Sequence, residues 1–146
     1  MNPASVIQIN RPLSIPNEKA RVYIQNGTEI AWRDIEKTST YCRLRMRDVH
    51  KAGEPRITVS PGRFDIIKLS KVDDTYSPGT LVASPRLAFD TPSNVIFEVN
   101  MRLQSAEQPD VWALICSKHV NTFGIFHPTL AEIRITLGNV IEIKEP

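Results

Sequence analysis

From residue 95 to residue 104, Val95, Phe97, Val99, Met101 and Leu103 alternate with Ile96, Glu98, Asn100, Arg102 and Gln104, the period of a strand with one buried face. The next run, Val111-Trp112-Ala113-Leu114-Ile115-Cys116, is apolar at every position, as expected of a strand covered on both faces. The polar residues 105–110, with Pro109, reverse the chain between the two. In Tyr41-Cys42-Arg43-Leu44-Arg45-Met46-Arg47 the alternation returns with a basic side: Cys42, Leu44 and Met46 share one face, Tyr41 and the three arginines the other. Residues 20–25 alternate and run into Asn26-Gly27, a hairpin turn signal. Residues 57–59 lead through Ser60-Pro61-Gly62 into residues 63–69, read as a second hairpin. Residues 73–79 read as an exposed loop, and residues 81–83 and 87–89 as short strands interrupted by Pro85. Near the start, Pro12 and Pro16 bracket Leu13-Ser14-Ile15. Because proline has no ladder donor, residues 1–16 read as an extended arm or edge strand.

Residues 128–138 fit two patterns. Thr129 and Glu132 have capping-box spacing, Leu130, Ile133 and Leu137 share a helical face, and Gly138 suits a helix end. Alternatively Ile133, Ile135 and Leu137 alternate with Arg134 and Thr136, turn at Gly138-Asn139 and pair with residues 140–143. The caps favour a short helix packed over one end of the sheet, followed by a final strand. Together the pattern predicts an all-β, mainly antiparallel fold, a β-sandwich or partly open β-barrel of about eight strands with one short C-terminal helix.

Composition narrows the class. The chain of 146 residues suits a single domain, 1–146, and its 41% hydrophobic and 23% charged residues are ordinary globular usage. A formal net charge of +2 lacks the concentrated basic surplus of a dedicated nucleic-acid-binding domain. No run is long and apolar enough for a transmembrane helix, and no signal peptide precedes Ser5. The two cysteines, Cys42 and Cys116, fall on apolar strand faces. They read either as a disulfide pinning the layers of a small exported β protein, or as two separate buried thiols of a cytoplasmic one. Neither position has the exposure that a reactive thiol needs.

Leu13-Ser14-Ile15-Pro16, residues 20–27, Tyr41-Cys42, residues 104–109 leading to Leu114-Ile115-Cys116, and residues 129–134 with Leu137-Gly138 resemble a family of small uncharacterised proteobacterial exported, lipoprotein-like envelope proteins. The resemblance spans most of the chain and implies a periplasmic or cell-envelope location, a preceding signal segment, and Cys42 and Cys116 as the family's cysteines. In such proteins the mature chain begins with a lipidated cysteine, whereas residue 1 here is Met. The resemblance brings no catalytic activity with it.

Catalytic patterns are weak. His50, His119 and His127 lie in or beside predicted loops without metal-ligand spacing, and Cys116-Ser117-Lys118-His119 is one Cys-x-x-His without a second pair. Asp73-Asp74 and Glu107 with Asp110 read as solvated turn acids, and neither a phosphate loop nor a nucleophile elbow is present. No catalytic residue, metal ligand or cofactor is therefore assigned. The sharpest surface feature is the row Arg43, Arg45, Arg47. Alternate strand residues project on one side about 6.6 to 6.8 Å apart, so successive guanidiniums can meet successive anionic groups. The competing reading pairs these arginines with carboxylates such as Glu98 across the sheet. The sequence thus points to a non-enzymatic envelope protein with a binding or structural role, contacting an anionic lipid, a polysaccharide or an envelope protein through an arginine-lined strand. The contrasting reading is a cytoplasmic nucleic-acid or anion-binding β module, for which Tyr41 alone is thin stacking support.

Overall fold

In a computed structural model, which describes residues 5–16, 19–47, 57–75, 95–121 and 124–145, the chain forms an eight-stranded antiparallel sheet curled into a half-barrel. The strands are β1 (Val6–Ile9), β2 (Leu13–Ser14), β3 (Arg21–Gln25), β4 (Thr28–Ile30), β5 (Tyr41–Met46), β6 (Thr58–Val59), β7 (Gly62–Thr75), β8 (Val95–Gln104), β9 (Val111–Val120) and β10 (Ile141–Lys144), with helix α1 (Leu130–Leu137) before the last. The large sheet runs β10-β1-β7-β8-β9-β5-β3-β4, and β2 pairs with β6 apart from it.

Alternation decides the core. Phe97, Val99, Met101 and Leu103 of β8 face inward and are buried, as are Cys42, Leu44 and Met46 of β5 and Val22 and Ile24 of β3. Ile7 and Ile9 of β1, Phe64 of β7 and Ile141 of β10 continue the same surface. The β8 and β9 strands pair antiparallel around residues 105–110, where the Ser105 hydroxyl accepts from the Gln108 amide. The Gln108 side-chain amide also clasps Ser60, accepting from its backbone N–H and donating to its carbonyl at 2.9 Å each.

Helix α1 closes the open side. The Thr129 hydroxyl accepts from the Glu132 amide and the Glu132 carboxylate from the Thr129 amide, so the capping box forms as its spacing predicts. Ile133 and Leu137 are fully buried in the core. The helix packs against β3 and β5 towards one margin of the sheet and β10 at the other, bridging the ends of the curl. At its end, Gly138 has φ +57 and lies against Gly27 of the β3–β4 turn, so that a Cβ there would stand 2.8 Å from the Gly27 Cα. The Gly27 amide donates to the Thr136 carbonyl at 2.9 Å, and Asn26 and Gly27 both have positive φ, as the Asn-Gly hairpin predicts.

Several expectations change. β6 pairs with β2 and not with β7, because Leu13, Ile15 and Val59 gain burial under the sheet that a local hairpin would not give them. Within residues 1–16, β1 has partners on both sides, β10 and β7, so only β2 has the one-sided pairing of an edge. Pro12 and Pro16 fall just outside β2, where no ladder amide is needed. Asp73 and Asp74 belong to β7 and pair opposite Phe97 and Ile96, so the segment read as a loop is still strand as far as Thr75. Residues 81–83 and 87–89 lie outside the described residues, as does His50.

The cysteines form a disulfide, and it joins neighbours rather than layers. Cys42 of β5 and Cys116 of β9 sit directly opposite in register on the inner face, both fully buried. The bond fastens two central strands within one sheet because both cysteines project to the same side of it.

Candidate anion-binding face of the sheet

The strand order brings together outward side chains from distant parts of the sequence. In register across β3, β5, β9, β8 and β7 stand Arg21, Arg45, Ala113, Arg102 and Lys68. Neighbouring strands lie about 4.8 Å apart, so the row runs roughly 19 Å with a cation on four of its five strands and no carboxylate among them. Arg21 and Arg45 face each other directly, a like-charge pairing that costs stability.

Two β-bulges fall at this level. One puts Ile67 between Ile66 and Lys68 on β7, and the other puts Trp112 between Val111 and Ala113 on β9. Each adds an extra residue to its strand, and with it a large apolar side chain beside the cationic row. The Arg102 guanidinium stacks over the Trp112 ring at 3.3 Å from its centre, and that of Arg47 lies at 4.3 Å. The Arg102 Nε is buried without a hydrogen-bond partner among the described residues.

The three arginines singled out from the sequence therefore divide. Arg43 is paired inside the fold: its Nη1 donates to the Glu98 carboxylate at 3.0 Å, and the Ser117 hydroxyl donates to the same oxygen at 2.7 Å. Arg47 lies beyond the end of β5, where its Nε donates to the Pro109 carbonyl at 2.9 Å and its amide to the Asp110 carbonyl at 2.8 Å. Arg45 and Arg47 are both exposed with no ion pair among the described residues, and of the two only Arg45 stands in the cross-strand row. Periodicity within β5 placed all three on the outer side but carried no information on cross-strand partners. Arg21, Arg102 and Lys68 were missed for the same reason, since they join the row only through strand order and bulges.

Beside the row lies an aromatic cluster. Trp32, in the 3-10 turn Trp32–Asp34, packs its ring 5.2 Å from that of Tyr23 and 5.8 Å from that of Tyr41. The Lys37 ammonium sits 4.5 Å from the Trp32 ring centre. Tyr41 and His119 share a hydrogen bond of 2.7 Å between Oη and Nε2. Burial pushes the Tyr41 hydroxyl up to about 12, while burial and the Lys37 charge lower the His119 imidazole against the opposing pull of Glu98. Both groups are thus held neutral at pH 7. His119 lies within β9 and not in a loop, and Cys116 is committed to the disulfide, so the Cys-x-x-His spacing makes no metal site. His127 packs edge-on against Phe97 at 5.0 Å. No group of metal-ligating side chains occurs among the described residues.

No family model, curated protein or solved structure matches this chain. The face must therefore be read from its own chemistry. A row of cations without ion pairs among the described residues, flanked by the exposed ring of Trp32 and the half-buried rings of Tyr23 and Trp112, can hold a polyanion by several weak, simultaneous contacts. Around Glu132 the charge is satisfied internally: burial opposes ionisation of its carboxyl, but the Thr129 amide and the Lys118 ammonium at 3.0 Å outweigh it and lower its pKa.

Proposed function

We propose that this is a non-enzymatic protein of the cell envelope that binds an anionic ligand through the outer face of its sheet. The observation that carries the reading is the row Arg21, Arg45, Arg102 and Lys68, four cations aligned in register without a carboxylate between them. Repulsion across the Arg21–Arg45 pair is relieved by an anion and by nothing else in the row. The disulfide supports an oxidising, non-cytoplasmic compartment. A periplasmic or envelope location, with lipid anchoring through a preceding segment, extends that reading along the family resemblance.

The test is binding of the purified chain to vesicles of anionic and neutral lipid and to an acidic polysaccharide, with Arg21, Arg45 and Lys68 changed together to Gln. The expected result is binding to anionic probes only, weakened by the triple change and by salt, with the thermal midpoint nearly unmoved. Undiminished binding by the triple variant would place the site elsewhere. A second reading, a cytoplasmic single-stranded nucleic-acid module, draws on the rings of Tyr23, Trp32 and Trp112 beside the cations. The buried disulfide counts against it.

A further inference from the structure

We infer that the aromatic end of this face is a sugar-binding subsite and that the anionic ligand is an acidic polysaccharide, an inference that rests on the anion-binding reading above. Trp32 is 46% exposed although it is among the largest side chains of the protein. It stands as a shared wall between two depressions. One, of about 430 Å³, is lined by Trp32, Tyr23, Tyr41, Lys37, Arg43 and Glu98, and the other, of about 550 Å³, by Trp32, Tyr23, Arg21, Lys19 and Ile30.

A pyranose ring has an apolar C–H face, which settles on the electron-rich face of an indole, and a rim of hydroxyls that both donate and accept hydrogen bonds. The first depression offers that combination. Its rings provide the platform, and Arg43 with Glu98, about a fifth of each side chain exposed, sets a donor beside an acceptor. The Glu98 carboxylate also discriminates. Because it is already paired with Arg43, the two together offer no net positive charge to a phosphodiester, whereas a sugar hydroxyl can accept from Arg43 and donate to Glu98. The negative groups of the ligand fall instead on the cationic row: Arg21 lines the second depression, and Arg45 follows Arg43 two residues along the same strand face. One chain of acidic sugars can thus occupy ring platform and cationic row together.

The experiment is calorimetric titration of the wild type with galacturonic acid oligomers, neutral galactose oligomers, phosphatidylglycerol vesicles and a single-stranded oligonucleotide. The variants are Trp32→Ala, Trp32→Phe and Arg45→Gln, each checked for a thermal midpoint no lower than that of wild type. The expected pattern is that Trp32→Ala weakens galacturonate binding about tenfold while Trp32→Phe, which keeps a ring, stays within about threefold of wild type. Arg45→Gln should weaken the same binding and make it less sensitive to salt. Galacturonate binding that falls with Arg45→Gln but not with Trp32→Ala would leave the anion-binding reading standing and overturn the sugar subsite. Tighter wild-type binding to vesicles or to the oligonucleotide than to galacturonate would overturn it as well, in favour of that ligand. Binding to none of the anionic probes would overturn both readings at once.

Discussion

The two faces of β5 show how differently one strand can be constrained on its two sides. Inward, Cys42, Leu44 and Met46 are buried and meet apolar partners from β3 and β9, and every position is matched to its neighbours. Outward, Tyr41 and Arg43 find partners in His119 and Glu98, but Arg45 faces Arg21, a pairing that packing alone would not select. The inner face follows from the stability of the sheet. The outer face contains a local conflict, which the proposed anion-binding role would account for.

The contrast breaks most sharply in the core. Phe64→Ala should lower the unfolding free energy by about 3 to 5 kcal/mol, because Phe64 is fully buried opposite Ile7 and its removal leaves a cavity under the half-barrel. Phe97→Ala should cost less. Phe97 packs edge-on against the rings of Phe126 and His127, and the first of these is itself partly exposed. Urea titration of the two variants checks the order, and equal losses would mean that the inner face does not grade from centre to margin.

Removing the disulfide tests the same face by another route. The closed loop spans 74 residues, for which chain-entropy arguments give at most about 4.5 kcal/mol, and residual structure in the unfolded chain brings the expected loss to about 2 to 4 kcal/mol. Chemical denaturation of a Cys42→Ala, Cys116→Ala double variant measures it. Because the bond fastens strands that are already hydrogen-bonded, the folded double variant should keep its far-ultraviolet circular dichroism spectrum. It should also keep anion binding, since both cysteines face away from the cationic row. The cap of α1 sets a smaller scale: Thr129→Ala removes one half of the capping box and should cost about 1 kcal/mol in the same titration.

What the sequence disclosed follows the same division. Strand period, the Asn26-Gly27 turn and the Thr129–Glu132 box are local, and each is realised where its residues place it. The inner face was legible because alternation alone sorts Phe97, Val99 and Met101 from Glu98, Asn100 and Arg102. The outer site was legible only along one strand. Arg43, Arg45 and Arg47 stood out by spacing, whereas Arg21, Arg102 and Lys68 lie far from them in sequence and join Arg45 only through the order β3-β5-β9-β8-β7. The bulge at Trp112 could not be read from a run that is apolar at every position, because such a run has no period to break. The β6–β7 connection misled for a related reason: a turn dipeptide fixes where the chain bends but not which strand lies alongside.

The smallest expected effect is the one that separates the two faces most cleanly, because its sign should differ from every change above. Arg45→Gln removes one member of the Arg21–Arg45 pair from an exposed position, so the fold loses a repulsion and little packing. At low ionic strength the variant should be more stable than wild type by a few tenths of a kcal/mol. The gain should shrink as salt rises, since exposed charges are screened beyond about 8 Å at physiological ionic strength. Arg43→Gln makes the opposite case, for it strips the Glu98 carboxylate of its 3.0 Å partner and should lower stability. Differential scanning calorimetry of the two variants at low and high salt compares them directly. Equal destabilisation by both would mean that Arg45 is held within the fold as Arg43 is, and the cationic row would then be a structural ladder rather than a surface kept open for an anion.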